Sequence, residues 1–255
     1  MFKIATWNVN SLKIRLPQVL DWLAAEKPHV FALQEIKSLQ DDFFHQAISD
    51  AGYHITFSGQ KAYNGVAVFS REPVQDIVTD FPEYNDIHRR ILAVTMDDKR
   101  VINLYIPNGQ SVESEKYIYK LEWLSHLKSF LKNELLKHKK ILVLGDFNIA
   151  PNDDDVHDPI AWKDSVLCSD KERQAFQDIL NLGFKDCFRL HKQEEKSYSW
   201  WDYRLNAFKR NLGLRIDHIL VNEAFAKDCA HCRIDKSTRS HERPSDHAVV
   251  VAEFS

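Results

Sequence analysis

No apolar stretch in the 255 residues approaches the roughly 20 needed to cross a bilayer, so a helical membrane span is excluded. A secretory leader is missing as well, because Met1-Phe2-Lys3-Ile4 runs straight into a strand pattern. These absences point to a cytoplasmic protein. There is no linker rich in Gly, Ser or Pro and no low-complexity tract, which predicts one domain over residues 1–255. The four cysteines do not make a zinc site: Cys229-Ala230-His231-Cys232 has no second CxxC or His pair near it. They read as free, buried thiols. An excess of positive charge is also lacking, since the net charge is −3, so no global attraction to nucleic acid follows. Cations nevertheless cluster at His88-Arg89-Arg90, at Arg204 with Lys209, Arg210 and Arg215, and at Arg239 with Arg243. The acids of Asn152-Asp153-Asp154-Asp155-Val156-His157-Asp158 read as a solvated loop.

With 44% hydrophobic residues the chain can bury a sizeable core. The apolar run Ile141-Leu142-Val143-Leu144 reads as a buried strand, ended by Gly145-Asp146-Phe147-Asn148. An acid and a carboxamide spaced i, i+2 at a strand end face the same way, although the same residues suit an ordinary turn. Recurrence decides between the two. Phe2–Trp7 delivers Asn8 and Asn10, Val30–Leu33 delivers Gln34-Glu35, and Val101–Tyr105 ends in Ile106-Pro107-Asn108. Leu214–Val221 carries Asp217 within an apolar run, and Ser245-Asp246-His247 precedes Ala248–Val251. These strand ends together make a rim of ligands for metal and phosphate.

Three helices are predicted. One is striped by Leu16, Val19, Leu20 and Leu23, with Pro17 near its start; a second spans about 115–138 with Ile118, Leu121, Leu124, Leu131 and Leu135 on its apolar face. A third opens at the capping box Ser169-Asp170-Lys171-Glu172 and stops at Gly183. Short connections predict antiparallel hairpins of 53–57 with 64–70 and of 91–96 with 100–106. Mixed sheets with helices outside follow. The strand delivering Asn8 and the strand delivering Asp146 each begin a half of the chain, hinting at internal duplication.

The segments Trp7-Asn8-Val9-Asn10, Leu33-Gln34-Glu35, Tyr63-Asn64-Gly65-Val66-Ala67, Gly145-Asp146-Phe147-Asn148, Leu214-Arg215-Ile216-Asp217 and Ser245-Asp246-His247 resemble, in order, the exonuclease III family of the endonuclease/exonuclease/phosphatase superfamily. The resemblance implies an α/β fold, a four-layered α/β sandwich of two mixed β-sheets packed face to face. It implies a DNA-repair hydrolase dependent on Mg²⁺ or Mn²⁺, with 3′→5′ exonuclease, abasic-site endonuclease and 3′-end-trimming activities. The implied partner is double-stranded DNA with abasic sites, nicks or recessed 3′ ends, bound by a monomer without a membrane.

Carried over residue by residue, the implied metal site draws on Glu35 with Asn8, Asp146, Asn148, Asp246 and His247. The implied catalytic groups are Tyr105, Asp146, Asn148, Asp217 and His247. Asp146 serves as general base, or else as the acid that protonates the leaving oxygen. Asp217 would hold His247 and raise its pKa. Asp217 also reads as a structural acid paired with Arg215 or His218, and Tyr105 as a strand residue capping the core. Arg90 and Lys120 resemble DNA-backbone contacts. Trp200, Trp201 and Arg204 resemble a minor-groove loop beside a lesion pocket, or in the bland reading two core tryptophans. Around Ser165–Ser169 the chain departs from the family, and a bulky Leu167 or Cys168 would narrow the pocket and favour terminal substrates. The rival readings are a lipid or small-molecule phosphoesterase and a non-catalytic DNA-binding domain.

Overall fold

A parallel strand pair bridged by a helix occurs twice along the chain, and this repeat sets the architecture of the computed structural model, which describes residues 1–38, 42–82, 84 and 86–255. The chain runs β1 (Phe2–Asn8), α1 (Leu12–Glu26), β2 (Val30–Gln34), α2 (Asp42–Asp50), β3 (His54–Ser58) and β4 (Val66–Ser70). It continues through β5 (Gln75–Val78), β6 (Ile91–Met96), β7 (Lys99–Tyr105), α3 (Glu115–Lys137), β8 (Lys140–Asp146), α4 (Asp170–Leu180) and β9 (Phe184–Asp186). The small pair β10 (Trp200–Trp201) and β11 (Gly213–Leu214) follows, then β12 (Asp217–Asn222), α5 (Glu223–Ala226), β13 (Cys229–Asp235) and β14 (Val249–Phe254).

Two six-stranded mixed sheets result, ordered β13-β14-β1-β2-β4-β3 and β5-β6-β7-β8-β12-β9. Both predicted hairpins are present as antiparallel pairs, β3 with β4 and β6 with β7. Strand by strand the sheets match in order and direction of pairing. The second repeat is β5-β6-β7-α3-β8-α4-β9-β12, and the first is the same pattern with β13 and β14 placed ahead of β1. The Asp146 strand therefore occupies the position of β2. The equivalence expected between the Asn8 and Asp146 strands is corrected: β1 corresponds to β7.

Side-chain alternation along buried strands fills three apolar layers. On β8, Leu142 and Leu144 point between the sheets with Ile4, Val30, Val68, Leu92 and Ile219, while Ile141 and Val143 meet the helix layer. That layer is Trp123, Leu127 and Phe130 of α3 with Phe176 and Ile179 of α4. On the far side Trp7, Phe31 and Phe69 pack under Leu16, Val19, Trp22 and Ile48 of α1 and α2. Each such side chain contributes about 1.5–3 kcal/mol on burial. The expected four-layered α/β sandwich is what forms. One buried polar link crosses between the sheets near the site. Gln34 Nε2 donates to Asn103 Oδ1 at 2.7 Å, and Asn103 Nδ2 donates to the carbonyls of Leu33 and Ala67. The Asn103 amide is engaged at both ends and the Gln34 amide through its nitrogen, and their geometry fixes how one sheet sits over the other.

The capping box of α4 is present, with the Ser169 and Glu172 side chains satisfying each other's backbone N–H groups. Two helix expectations shift. Pro17, expected near the start of its helix, lies inside α1, five residues after Leu12. In α3 the buried face is carried by Trp123, Leu124, Leu127, Phe130 and Leu131, and Ile118 is 67% exposed, because the large aromatic rings take the seam. All four cysteines are free and buried. Among the described residues no helix is long and apolar enough to cross a membrane.

Candidate active site

Asn8 ends β1, Glu35 follows β2, Tyr105 ends β7 and Asp146 ends β8, while Asp217 opens β12 and His247 stands two residues before β14. Register brings them to one edge of the sandwich: Asn8 pairs with Gln34, and Asp146 lies between Tyr105 and Asp217. Gly145 lets β8 reach that edge. Its φ is +139°, and a Cβ there would lie 2.0 Å from the Leu104 carbonyl oxygen.

Asn8 joins the two sheets chemically. Its Nδ2 donates to Glu35 Oε1 at 3.0 Å and to Asp146 Oδ2 at 2.9 Å. Asn148, in the left-handed region at φ 50°, donates from its backbone N to Asp146 Oδ1 (2.9 Å) and from Nδ2 to Asp146 Oδ2 (3.2 Å). His247 has Nδ1 2.9 Å from Asp217 Oδ2 and Nε2 3.8 Å from Asp146 Oδ2. The alternative partners of Asp217 are ruled out. Arg215 binds Asp155 and Asp186 instead, and His218 Nε2 bonds to the Ile149 carbonyl. Asp155 is accordingly buried rather than part of a solvated loop, a correction to that expectation.

Electrostatics separate the roles. Burial pushes the Asp146 carboxyl up to about 7; the charge of His247 partly offsets this and that of Asp217 adds to it. Burial alone would lower His247, but the adjoining Asp217 and Asp146 outweigh it and raise the imidazole to about 10. At neutral pH the histidine is a cation, and Asp146 titrates where a proton-transfer group is most effective. For Glu35, burial acts upward but the ammonium of Lys37 and the Asn8 hydrogen bond win, and it stays ionised. Burial and the Glu35 charge hold the Tyr105 hydroxyl protonated, as a donor.

The expected substrate contacts divide. Arg90 lies beside the site with its guanidinium 4.7 Å from the Tyr105 ring centre. Trp200 is partly exposed and donates from Nε1 to Asp246 Oδ2 at 3.0 Å. Arg204 is exposed and forks onto Asp202. Lys120 and Trp201 are corrections. Lys120 is fully buried, its ammonium spent on Glu172 and on the carbonyls of Asn108 and Asn148, so it braces the Asn148 loop from below. Trp201 is buried against Phe208, with Nε1 bonded to Asn211. Both Asp246 oxygens accept bonds, from Asn10 and Trp200, which pins the loop that carries His247.

Four contributors escaped sequence reasoning. Lys37 reaches Glu35 Oε2 (2.8 Å) and Asn10 Oδ1 (2.6 Å). Ser199 Oγ donates to Asp217 Oδ2 at 2.6 Å, Trp7 Nε1 donates to the His247 carbonyl at 3.0 Å, and Asn108 Nδ2 donates to Asn148 Oδ1. Trp7 lies inside a motif segment and Asn108 inside a strand-end segment, which was their signal. Ser199 and Lys37 had none.

The residues fit a divalent cation. Glu35 and Asp146 converge on one amide, and Asp146, Asp217 and His247 offer ligand atoms within 4.8 Å of one another. The Asp146 carboxyl, pushed up by burial and by the neighbouring Asp217 charge, is relieved by a hard cation on oxygen. Asp217 and His247 already hold each other, which leaves the Glu35 and Asp146 carboxylates as the oxygen donors, with the Asn8 and Asn148 amide N–H groups orienting them.

An acidic, metal-competent rim across the edge of a doubled α/β sandwich defines a phosphoester-cleaving class. The chain belongs to the Endonuclease/Exonuclease/phosphatase family, whose profile matches residues 5–247. It is 35% identical to exodeoxyribonuclease III of Haemophilus influenzae over 99% of both chains. Its fold superposes with a TM-score of 0.98 on the 3′ phosphatase NExo from Neisseria bound to a product DNA hairpin, at 48% identity and full coverage of both. An AP endonuclease from Archaeoglobus fulgidus gives 0.95 at 37% identity, covering 100% of this chain and 99% of that one.

Proposed function

We propose that the protein is a Mg²⁺-dependent DNA-repair nuclease that hydrolyses phosphodiesters and phosphoesters at 3′ ends in preference to cleaving beside internal abasic sites. A Mg²⁺ or Mn²⁺ ion held by the Glu35 and Asp146 carboxylates, which the Asn8 and Asn148 amides orient, would supply charge neutralisation at the phosphoryl oxygens. The chain's own groups do the rest. Cationic His247, oriented by Asp217, donates from Nε2 to a phosphoryl oxygen. The Tyr105 hydroxyl and the Asn148 amide add neutral donors to the charge that grows during attack. Asp146 takes the proton from water as its oxygen bonds to phosphorus and the leaving oxygen departs. Arg90, Trp200 and Arg204 position the duplex. Every group named comes from one chain, so a monomer suffices.

The terminal preference rests on Leu167. It is buried in an apolar cluster with Leu214, Ile216 and Trp200, and its carbonyl accepts from Ala150 N at 2.8 Å, just beyond Asn148. A bulky side chain locked there leaves little room for an extruded sugar. The test is one Mg²⁺-dependent assay with a recessed 3′ end and an internal abasic-site analogue, comparing wild type with Asp146→Asn. The recessed end should be processed at least about ten-fold faster, and the substitution should cost roughly 10³-fold on both. Equal rates on the two duplexes would remove the terminal preference. Full activity of the variant would remove the assignment of Asp146.

A further inference from the structure

A lysine within α3 and the glutamate that closes the capping box of α4 meet in the interior, 52 residues apart along the chain. The side chains of Lys120 and Glu172 are both 0% exposed and hydrogen-bond directly to each other. Neither serves its partner alone. The ammonium protons of Lys120 go to Glu172, to the Asn148 carbonyl at 2.6 Å and to the Asn108 carbonyl at 3.1 Å. Glu172 accepts on Oε1 from Lys120 and from Leu167 N at 3.0 Å. On Oε2 it accepts from Ser169 N at 3.1 Å and from the Ser169 hydroxyl.

The backbone groups at the two ends of this chain of bonds are the unusual ones. Asn148 and Leu167 both lie in the left-handed region, at φ 50° and φ 75°. Asparagine visits that region readily. Leucine does so at a cost, and persists there only where its surroundings hold it. Leu167 is held from both sides: Glu172 takes its N–H, and Ala150 N donates to its carbonyl at 2.8 Å, two residues past Asn148. Asn148 carries the amide that faces the phosphoryl group, and Leu167 is the wall of the pocket. One ion pair thus grips the phosphoryl donor on one side and the selective wall on the other.

We propose that Lys120 and Glu172 are positioning residues that lock the pocket wall at Leu167 to the Asn148 donor, and so set the choice between terminal and internal substrates. This rests on the roles given above to Asn148 and Leu167. Stability alone does not call for a buried ion pair, since an apolar pair of similar volume would serve as well. An apolar pair could not grip a carbonyl of one loop and an N–H of the other. A glutamine in place of Glu172 keeps a single acceptor oxygen, which cannot stand at both the Leu167 and the Ser169 N–H groups. Without its acceptor Leu167 relaxes out of the left-handed region, and the wall draws back from the pocket. Without the ammonium on its carbonyl, Asn148 loses its aim at the phosphoryl group. Internal abasic substrates then gain room while the chemical step slows.

The experiment compares wild type, Glu172→Gln and the double variant Lys120→Met, Glu172→Gln on a recessed 3′ end and an internal abasic-site analogue, with kcat and KM measured separately. The ratio of the two kcat values is independent of how much enzyme is folded, so lost stability alone cannot move it. Expected in both variants is a ratio shifted at least about five-fold toward the internal substrate, with kcat on the recessed end about ten-fold lower and KM unchanged. The Leu167 amide should resist hydrogen exchange in wild type and lose about 100-fold of that protection in Glu172→Gln. A double variant with the wild-type ratio and the wild-type kcat would overturn the proposal. So would a Leu167 amide that exchanges freely in wild type. A wild type indifferent to the two duplexes would instead remove the terminal preference, and the kcat and amide protection of the variants would still decide the positioning role. Should one variant fail to fold, the other and the wild-type exchange decide.

Discussion

Asp217 places Oδ2 2.9 Å from His247 Nδ1, and Ser199 and Asp146 complete the row on either side. The carboxylate fixes the ring, keeps it charged, and directs its other nitrogen toward Asp146.

Asp217→Asn should therefore cost roughly 10³-fold in kcat with little change in KM. His247 should titrate near 10 in the metal-free wild type, by NMR, and move back toward 6.5 in the variant. Because the folded pKa lies above the unfolded one, the pair's stabilisation is complete below pH 6.5 and is lost as pH rises toward 10. Urea unfolding in EDTA should show wild type weakening across that window more than the variant. A variant with an unchanged histidine titration would contradict the pairing.

His218 carries the opposite sign. It is buried and neutral, with Nε2–H donating to the Ile149 carbonyl and Nδ1 accepting from Arg215, and its pKa is lowered to about 4 by burial and by Arg215. The unfolded chain binds a proton there first, so stability is lost as pH falls from 6.5 toward 4, by about 3 kcal/mol at most. His218→Gln should flatten the acid limb of a stability–pH curve. An unaltered limb would assign the acid sensitivity elsewhere.

Lys120→Met leaves Glu172 charged and unpaired in the core, a loss of about 3–5 kcal/mol, and adding Glu172→Gln should restore much of it. The salt dependence of DNA binding should be unaltered. A lysine on a phosphate would instead lower the slope of log K against log salt by about 0.9.

Gly145→Ala forces a methyl into the Leu104 carbonyl at a φ that L-residues avoid. We expect roughly 3 kcal/mol of destabilisation, and lower kcat in whatever fraction folds, because Asp146 is the next residue. A denaturation midpoint equal to wild type would show that β8 approaches β7 less closely.

Strand-end chemistry was legible because buried strands announce themselves as apolar runs and the polar residues that stop them stand out. Hairpin and capping-box signals are likewise local, and both survived. What sequence could not show was the partner of each polar group. Lys120 and Arg215 look like surface cations until Glu172, Asp155 and Asp186, remote along the chain, fold over them. Ile118 fits a leucine stripe in one dimension, yet Trp123 and Phe130 claim the seam by size. Lys37 and Ser199 belong to the site through contacts 27 and 18 residues away.

The first repeat borrows its two outer strands from the end of the chain: β14 pairs with β1, and Trp7 bonds to the His247 carbonyl 240 residues on. A nascent chain emerging from the ribosome at about 5–20 residues per second displays Asn8, Glu35, Tyr105, Asp146 and Asp217 before His247. It gains a catalytic edge only when the final strand docks.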